Sequence, residues 1–144
     1  MNLSKNSKLT LNQAPLPTGA ATTGTKSAVI DMAGFNGCMF IGTIGTVGAT
    51  DDVTCFVQDS SSSGGTYAAI GGATITSTTG ESDKYFAIDV YKPQRRFLRT
   101  VSAISAVVEY GGVTATQYEP SEVPTTHSTG TADAGVVLSV SITT

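Results

Sequence analysis

The chain has 144 residues, enough for one domain with a real core. Only 13% of them are charged, against roughly 25% in an average soluble protein. A formal net charge of -3 speaks against a general nucleic-acid binder, which needs many Lys and Arg side chains across one face. Ser and Thr supply about a quarter of the chain and Gly another 16 positions, so the polar surface is built mainly from neutral hydroxyls. That composition favours β-structure with glycine turns. No apolar run approaches the roughly 18 residues of a membrane span, and Met1 to Pro15 has no apolar core behind its lysines, so neither membrane nor secretion is expected.

Residues 1–25 mix Lys, Asn, Ser, Pro, Gly and Thr with weak periodicity apart from Leu9, Thr10 and Leu11. They read as an extended arm with too little apolar surface to offset its own ordering entropy. Within and beyond this stretch, Gly19 to Ser27 resembles a phosphate-binding loop with one residue too many before Lys26. No strand precedes it and the strand-like Ala28 to Met32 follows it where a helix is required, which argues against nucleotide binding.

From Thr25 the period becomes two. Ala28, Ile30 and Met32 alternate with Val29 and Asp31; Cys38, Phe40 and Gly42 alternate with Met39, Ile41 and Thr43; Val53, Cys55 and Val57 alternate with Thr54, Phe56 and Gln58. Each is the pattern of a strand with one buried face. Cys38 and Cys55 read as small buried hydrophobes. A cross-strand disulfide stays open if their segments form a hairpin turning near Thr46 and Val47.

Ser60 to Gly65 is a flexible loop. Weaker strands follow at Tyr67–Ile70 and Ala73–Thr76, separated by Gly71 and Gly72. Lys84 to Tyr91 alternates cleanly, with Phe86, Ile88 and Val90 on one face and Tyr85, Ala87, Asp89 and Tyr91 on the other, and Pro93 ends it. Further strands are expected at Phe97–Val101, Ile104–Tyr110 and Val113–Tyr118, the last two joined as a hairpin by Gly111 and Gly112. A long loop at 119–133 and a closing strand at 136–143 complete the chain. The expectation is an all-β fold: a single antiparallel β-sandwich or barrel, jelly-roll-like or Greek-key, over residues 26–144, with the extended N-terminal arm in front.

Catalytic groups are sparse. His127 is the only histidine and stands in a Thr-rich loop; Asp51-Asp52 and Glu81-x-Asp83 are acidic pairs in turns, where Asp caps backbone groups. No metal, cofactor or enzymatic activity is expected. The one concentrated charge is the run Lys92 to Arg99, and five of the eight basic residues fall between Lys84 and Arg99. Its cations either are solvated at a strand end or face an acidic protein partner. On the second reading Tyr91, Lys92, Arg95, Arg96 and Arg99 are the interface candidates, because Arg and Tyr are enriched where proteins meet.

The stretch from Ile88 to Arg99, Val123 to His127 further on, Leu3 to Leu9, and Val29 to Phe35 together resemble a family of small tailed-phage virion proteins associated with capsid decoration, also called cement or head-stabilising proteins. The resemblance implies a protein made in the host cytoplasm that resides on the capsid surface of the virion. It would bind the major capsid protein, bridge its subunits, and form a homo-oligomer, dimer or trimer. A neck, head-completion or tail component shares this composition. A carbohydrate-binding sandwich on the virion is the other alternative, kept open by five Tyr and weakened by the absence of Trp.

Overall fold

The computed structural model describes residues 6–17, 19, 21–78, 81–105 and 107–121. Among the described residues, nine antiparallel strands build two sheets: β1 (Ser7–Gln13), β2 (Thr22–Lys26), β3 (Ile30–Asp31), β4 (Phe35–Val47), β5 (Val53–Ser60), β6 (Ala68–Ser77), β7 (Lys84–Tyr91), β8 (Phe97–Ile104) and β9 (Val108–Pro120). One sheet runs β1-β9-β4-β7; the other runs β2-β8-β5-β6, with β3 also on β8. The chain crosses between sheets after β1, β3, β4, β6, β7 and β8, so the fold is a sandwich.

The alternation dictates the core. Cys38, Phe40 and Ile44 of β4, Phe86, Ile88 and Val90 of β7, and Val113 and Ala115 of β9 meet Val53, Cys55 and Val57 of β5 and Leu98 and Ile104 of β8. Leu98, Phe40 and Val57 are fully buried, each contributing about 1.5–3 kcal/mol relative to exposure.

The expected arm is the largest correction. Ser7 to Gln13 pairs with β9 from Ser7↔Tyr118 to Gln13↔Val113, and Thr22 to Lys26 pairs with β8. Its anchor is polar, which is why apolar periodicity failed to reveal it. Asn12 and Gln13 are buried, with Asn12 Oδ1 accepting from Thr100 Oγ1 at 2.8 Å and Gln13 Oε1 accepting from Ser102 Oγ at 2.9 Å. Lys26 and its neighbours therefore belong to a sheet and form no phosphate loop.

Three local expectations change as well. Gly111 and Gly112 make no hairpin, because β9 runs straight through them against β4 with a register shift between Gly42 and Ile44. Gly112 takes φ +82 where Gln13 and Pro15 press against its α-carbon, leaving no room for a side chain. The two strands expected around Gly71-Gly72 are one strand, β6, with a bulge against β5. Cys38 and Cys55 lie in opposite sheets, so their segments form no hairpin and both thiols are free and buried.

The closing strand at 136–143, His127 and the loop at 119–133 beyond Ser121 lie outside the described residues.

Candidate protein-binding face

Pairing registers place three cross-strand rows on the outer face of the four-stranded sheet. Leu9, Thr116, Met39 and Asp89 form one; Leu11, Thr114, Ile41 and Ala87 form the next; Ser7, Tyr118, Gly37 and Tyr91 form the third. Thr43 and Tyr85 extend the face beyond them. Directly opposed residues share a face, so these side chains stand together on the side away from the core. Asp89 is the only charge at these positions.

Large apolar groups are exposed here: Tyr85 at 77%, Tyr91 at 52%, Leu9 at 46% and Leu11 at 42%. Single exposed apolar residues are ordinary, but contiguous apolar rows across a whole sheet mark interaction surfaces. Met39 and Ile41 are half-buried in the middle of this face.

One end is fixed by tyrosines. The Tyr91 and Tyr118 rings lie parallel, 6.3 Å apart between centroids and 6° between planes. Tyr118 donates its hydroxyl to Asp89 Oδ1 at 2.7 Å, and Tyr91 donates to Glu119 Oε2 at 3.0 Å. Burial first, and then the bond to Asp89, push the Tyr118 phenol above its ordinary pKa. Both rings are thus held in place by hydrogen bonds to carboxylates of the same chain.

The basic run occupies different ground. Arg95 pairs with Asp59 at 3.2 Å, and Asp59 is buried. Arg96 holds Asp31 with two bonds of 2.7 and 2.8 Å, and that guanidinium keeps the Asp31 carboxyl below its ordinary value. Arg99 donates twice to Gln58 Oε1, at 2.9 and 2.7 Å, while its guanidinium carbon lies 3.9 Å from the Tyr67 ring centroid. The three arginines fasten the 92–99 segment to β3, β5 and the 61–67 loop. Lys92, with φ 50, lies 5.3 Å from the centroid of the Tyr91 ring.

Of the five interface candidates, then, only Tyr91 belongs to the apolar face, with Lys92 against its ring. Leu9, Leu11, Met39, Ile41, Tyr85 and Tyr118, which share this face, were not among the candidates read from the sequence. The signal was present in β4, which is apolar at Met39 and Ile41 as well as at Cys38 and Phe40; a strand apolar on both sides of a two-layer fold needs something over its outer side. Among the described residues no three His, Cys, Asp or Glu gather as metal ligands.

No family model and no curated protein matches the chain. Among solved structures, the chain is similar to the PBSX exported protein XepA, with TM-score 0.54 and 16% identity over 92% of this chain. It spans 43% of that protein's length. A protein of Bacillus endospore appendages, which form disulfide-linked pili, aligns at 20% identity over 79% of this chain and 90% of its own, with TM-score 0.45. The likeness to XepA is one of fold and concerns the aligned part of that protein.

Proposed function

We propose that this chain is a structural protein of a phage particle that binds the outside of the capsid and stabilises it by bridging major capsid protein subunits. The observation that carries the reading is the outer face of the four-stranded sheet, where apolar and hydroxyl side chains cross four strands with one charge among them. Such a face gains from burial against protein and offers little to a phosphate backbone or a small charged substrate. The sequence resemblance to decoration proteins supports the same reading, and the fold is shared with part of a PBSX exported protein. Identical copies repeating a modest contact over a shell reach high collective affinity without a strong single site.

Copy number in purified particles tests this. Hundreds of copies, on the order of the capsid subunit number, support decoration, whereas about a dozen or fewer replace it with a neck or tail role. Substituting Leu9, Ile41 and Tyr85 together by Ser then reads the face itself: loss of particle binding by a folded variant supports it, and undiminished binding removes it.

A carbohydrate-binding reading draws on one observation, the parallel Tyr91 and Tyr118 rings beside Asp89 and Glu119. Both carboxylates already accept from the two phenols, which leaves fewer acceptors for sugar hydroxyls. Binding of the isolated protein on a glycan array would favour this second reading.

A further inference from the structure

At Thr43 and Tyr85 the outer face of the four-stranded sheet sinks into a hollow of about 740 Å³, bordered by Leu16 and Pro17 on one side and by Asp83 and Tyr85 on the other. Register explains the depression. Ile44 pairs with Tyr110 on one side and Lys84 on the other, and the Ile44 and Tyr110 side chains are buried. Their neighbours Thr43, Gly45, Glu109 and Gly111 therefore point outward. Gly45 and Gly111 bring no side chain to that floor. Asp83 N donates to Gly45 O at 3.0 Å, which sets Asp83 beside Gly45 on the side away from Glu109.

Polar atoms converge on the bare floor. A methyl group on Gly45 would stand 2.7 Å from Glu109 Oε2, so that carboxylate leans over the glycine. It is steadied by Thr46 N, which donates to Oε2 at 3.3 Å, and a carboxylate keeps further acceptor sites after one such bond. The Thr43 hydroxyl overhangs Gly111 in the same way. With strands about 4.8 Å apart, the backbones of Glu109 and Asp83 flank Gly45 at about 10 Å from each other. Lys84 also borders the hollow, but alternation along β7 turns its side chain to the opposite face from Tyr85. Tyr85 is 77% exposed at the rim, and Leu16 and Pro17 supply an apolar wall.

We propose that this hollow receives an arginine side chain of a partner protein, its guanidinium held by Glu109 and Asp83 and laid against the Tyr85 ring. Each part of that side chain has a counterpart: the planar fork meets carboxylates and an aromatic face, and the aliphatic stem meets Leu16 and Pro17. A metal ion is served less well, since among the described residues no three His, Cys, Asp or Glu gather. The inference rests on the docking-face reading, because the hollow continues that face and the arginine belongs to the protein lying on it. It adds what apolar rows lack. Apolar burial is non-directional, whereas a charge pair at one end fixes the register of docking.

Two measurements test it. In NMR spectra of the full chain, N-acetyl-arginine amide should shift the Gly45 and Gly111 amide resonances saturably. Its uncharged counterpart N-acetyl-citrulline amide should not, and Glu109→Gln should abolish the response. On particles, Glu109→Gln with Asp83→Asn should weaken binding roughly tenfold at low salt and flatten its dependence on sodium chloride, with melting unchanged. Asn tolerates the positive φ of Asp83, so the pair keeps the fold. Leu9→Ser with Ile41→Ser leaves the hollow intact and reads the docking face separately. If that variant still binds particles, the docking face falls and the arginine probe alone judges the hollow. If it loses binding while the Glu109 and Asp83 variant binds as before at every salt concentration, the docking face stands and the arginine site is overturned. Glycine resonances that ignore the arginine probe, or follow the citrulline probe equally, overturn it as well.

Discussion

The ring of Tyr118 covers the α-carbon of Gly37 so closely that a methyl group on residue 37 would collide with Cζ and the phenol oxygen. Glycine at this position is what lets a tyrosine lie down on the sheet, donate to Asp89 and stand parallel to Tyr91. Gly37→Ala should displace the ring and cost about 1–3 kcal/mol of stability through overpacking. Urea unfolding measures it; an unchanged midpoint would mean that Tyr118 has another place to go at no cost. The same variant should weaken particle binding if the outer face of the four-stranded sheet is the proposed docking surface, since it disorders one end of that face.

Asn12 joins the first strand to the opposite sheet. It accepts from Thr100 Oγ1 at 2.8 Å and donates to Ala28 O at 2.7 Å. Asn12→Ala should cost about 1–3 kcal/mol, because Thr100 is left buried without that partner. Deleting residues 7–13 should be far worse, exposing the edge of β9. A truncated protein with an unchanged urea midpoint would restore the independent arm expected from the sequence.

Period-two alternation located β7 to the residue, β5 to within two residues at its end and the middle of β4, since one face of each meets an apolar core. It failed where polar groups bring the burial, at Asn12 and Gln13, whose value depends on Thr100 and Ser102 almost ninety residues away. It failed again at Gly111-Gly112, where the dipeptide that suits a tight turn also suits a bulge under another chain segment. The basic run was visible as a charge cluster, but its partners Asp31, Gln58 and Asp59 are scattered in sequence and adjacent only after folding. The apolar face is likewise a product of register, which brings Leu9, Met39 and Ala87 close from three distant segments.

That distinction separates two sets of variants. Replacing Arg95, Arg96 and Arg99 with Ser should lower the melting temperature, with the Arg95 to Asp59 pair contributing no more than about 1 kcal/mol at its partly exposed site. Particle binding at a temperature where the variant is folded should change little. Replacing Leu9, Ile41 and Tyr85 should do the reverse, leaving melting nearly unchanged and abolishing retention on particles in a cosedimentation assay. Strong loss of binding by the folded arginine variant would move the interface to the basic run.

The two thiols give the stability a defined alkaline limit. Burial, aided by the charge of Asp89, pushes Cys38 up to about 12 from an ordinary 9.0. Burial raises Cys55 as well, against hydrogen bonds with Ser102 and Tyr110 that pull it down. A folded pKa above the unfolded one means that the unfolded chain releases its proton first. Stability from this source is therefore intact below pH 9 and declines as the pH rises toward 12. The urea midpoint should fall over that range, and Cys38→Ala should make the fall shallower whatever its cost at neutral pH. At pH 8 a thiol reagent should label neither cysteine at the rate of a free thiol, because little thiolate forms and both sulfurs are covered; denaturant should release both together. Rapid labelling of Cys38 in the native protein would mean that β4 opens to solvent, which a strand paired on both sides by β7 and β9 should resist.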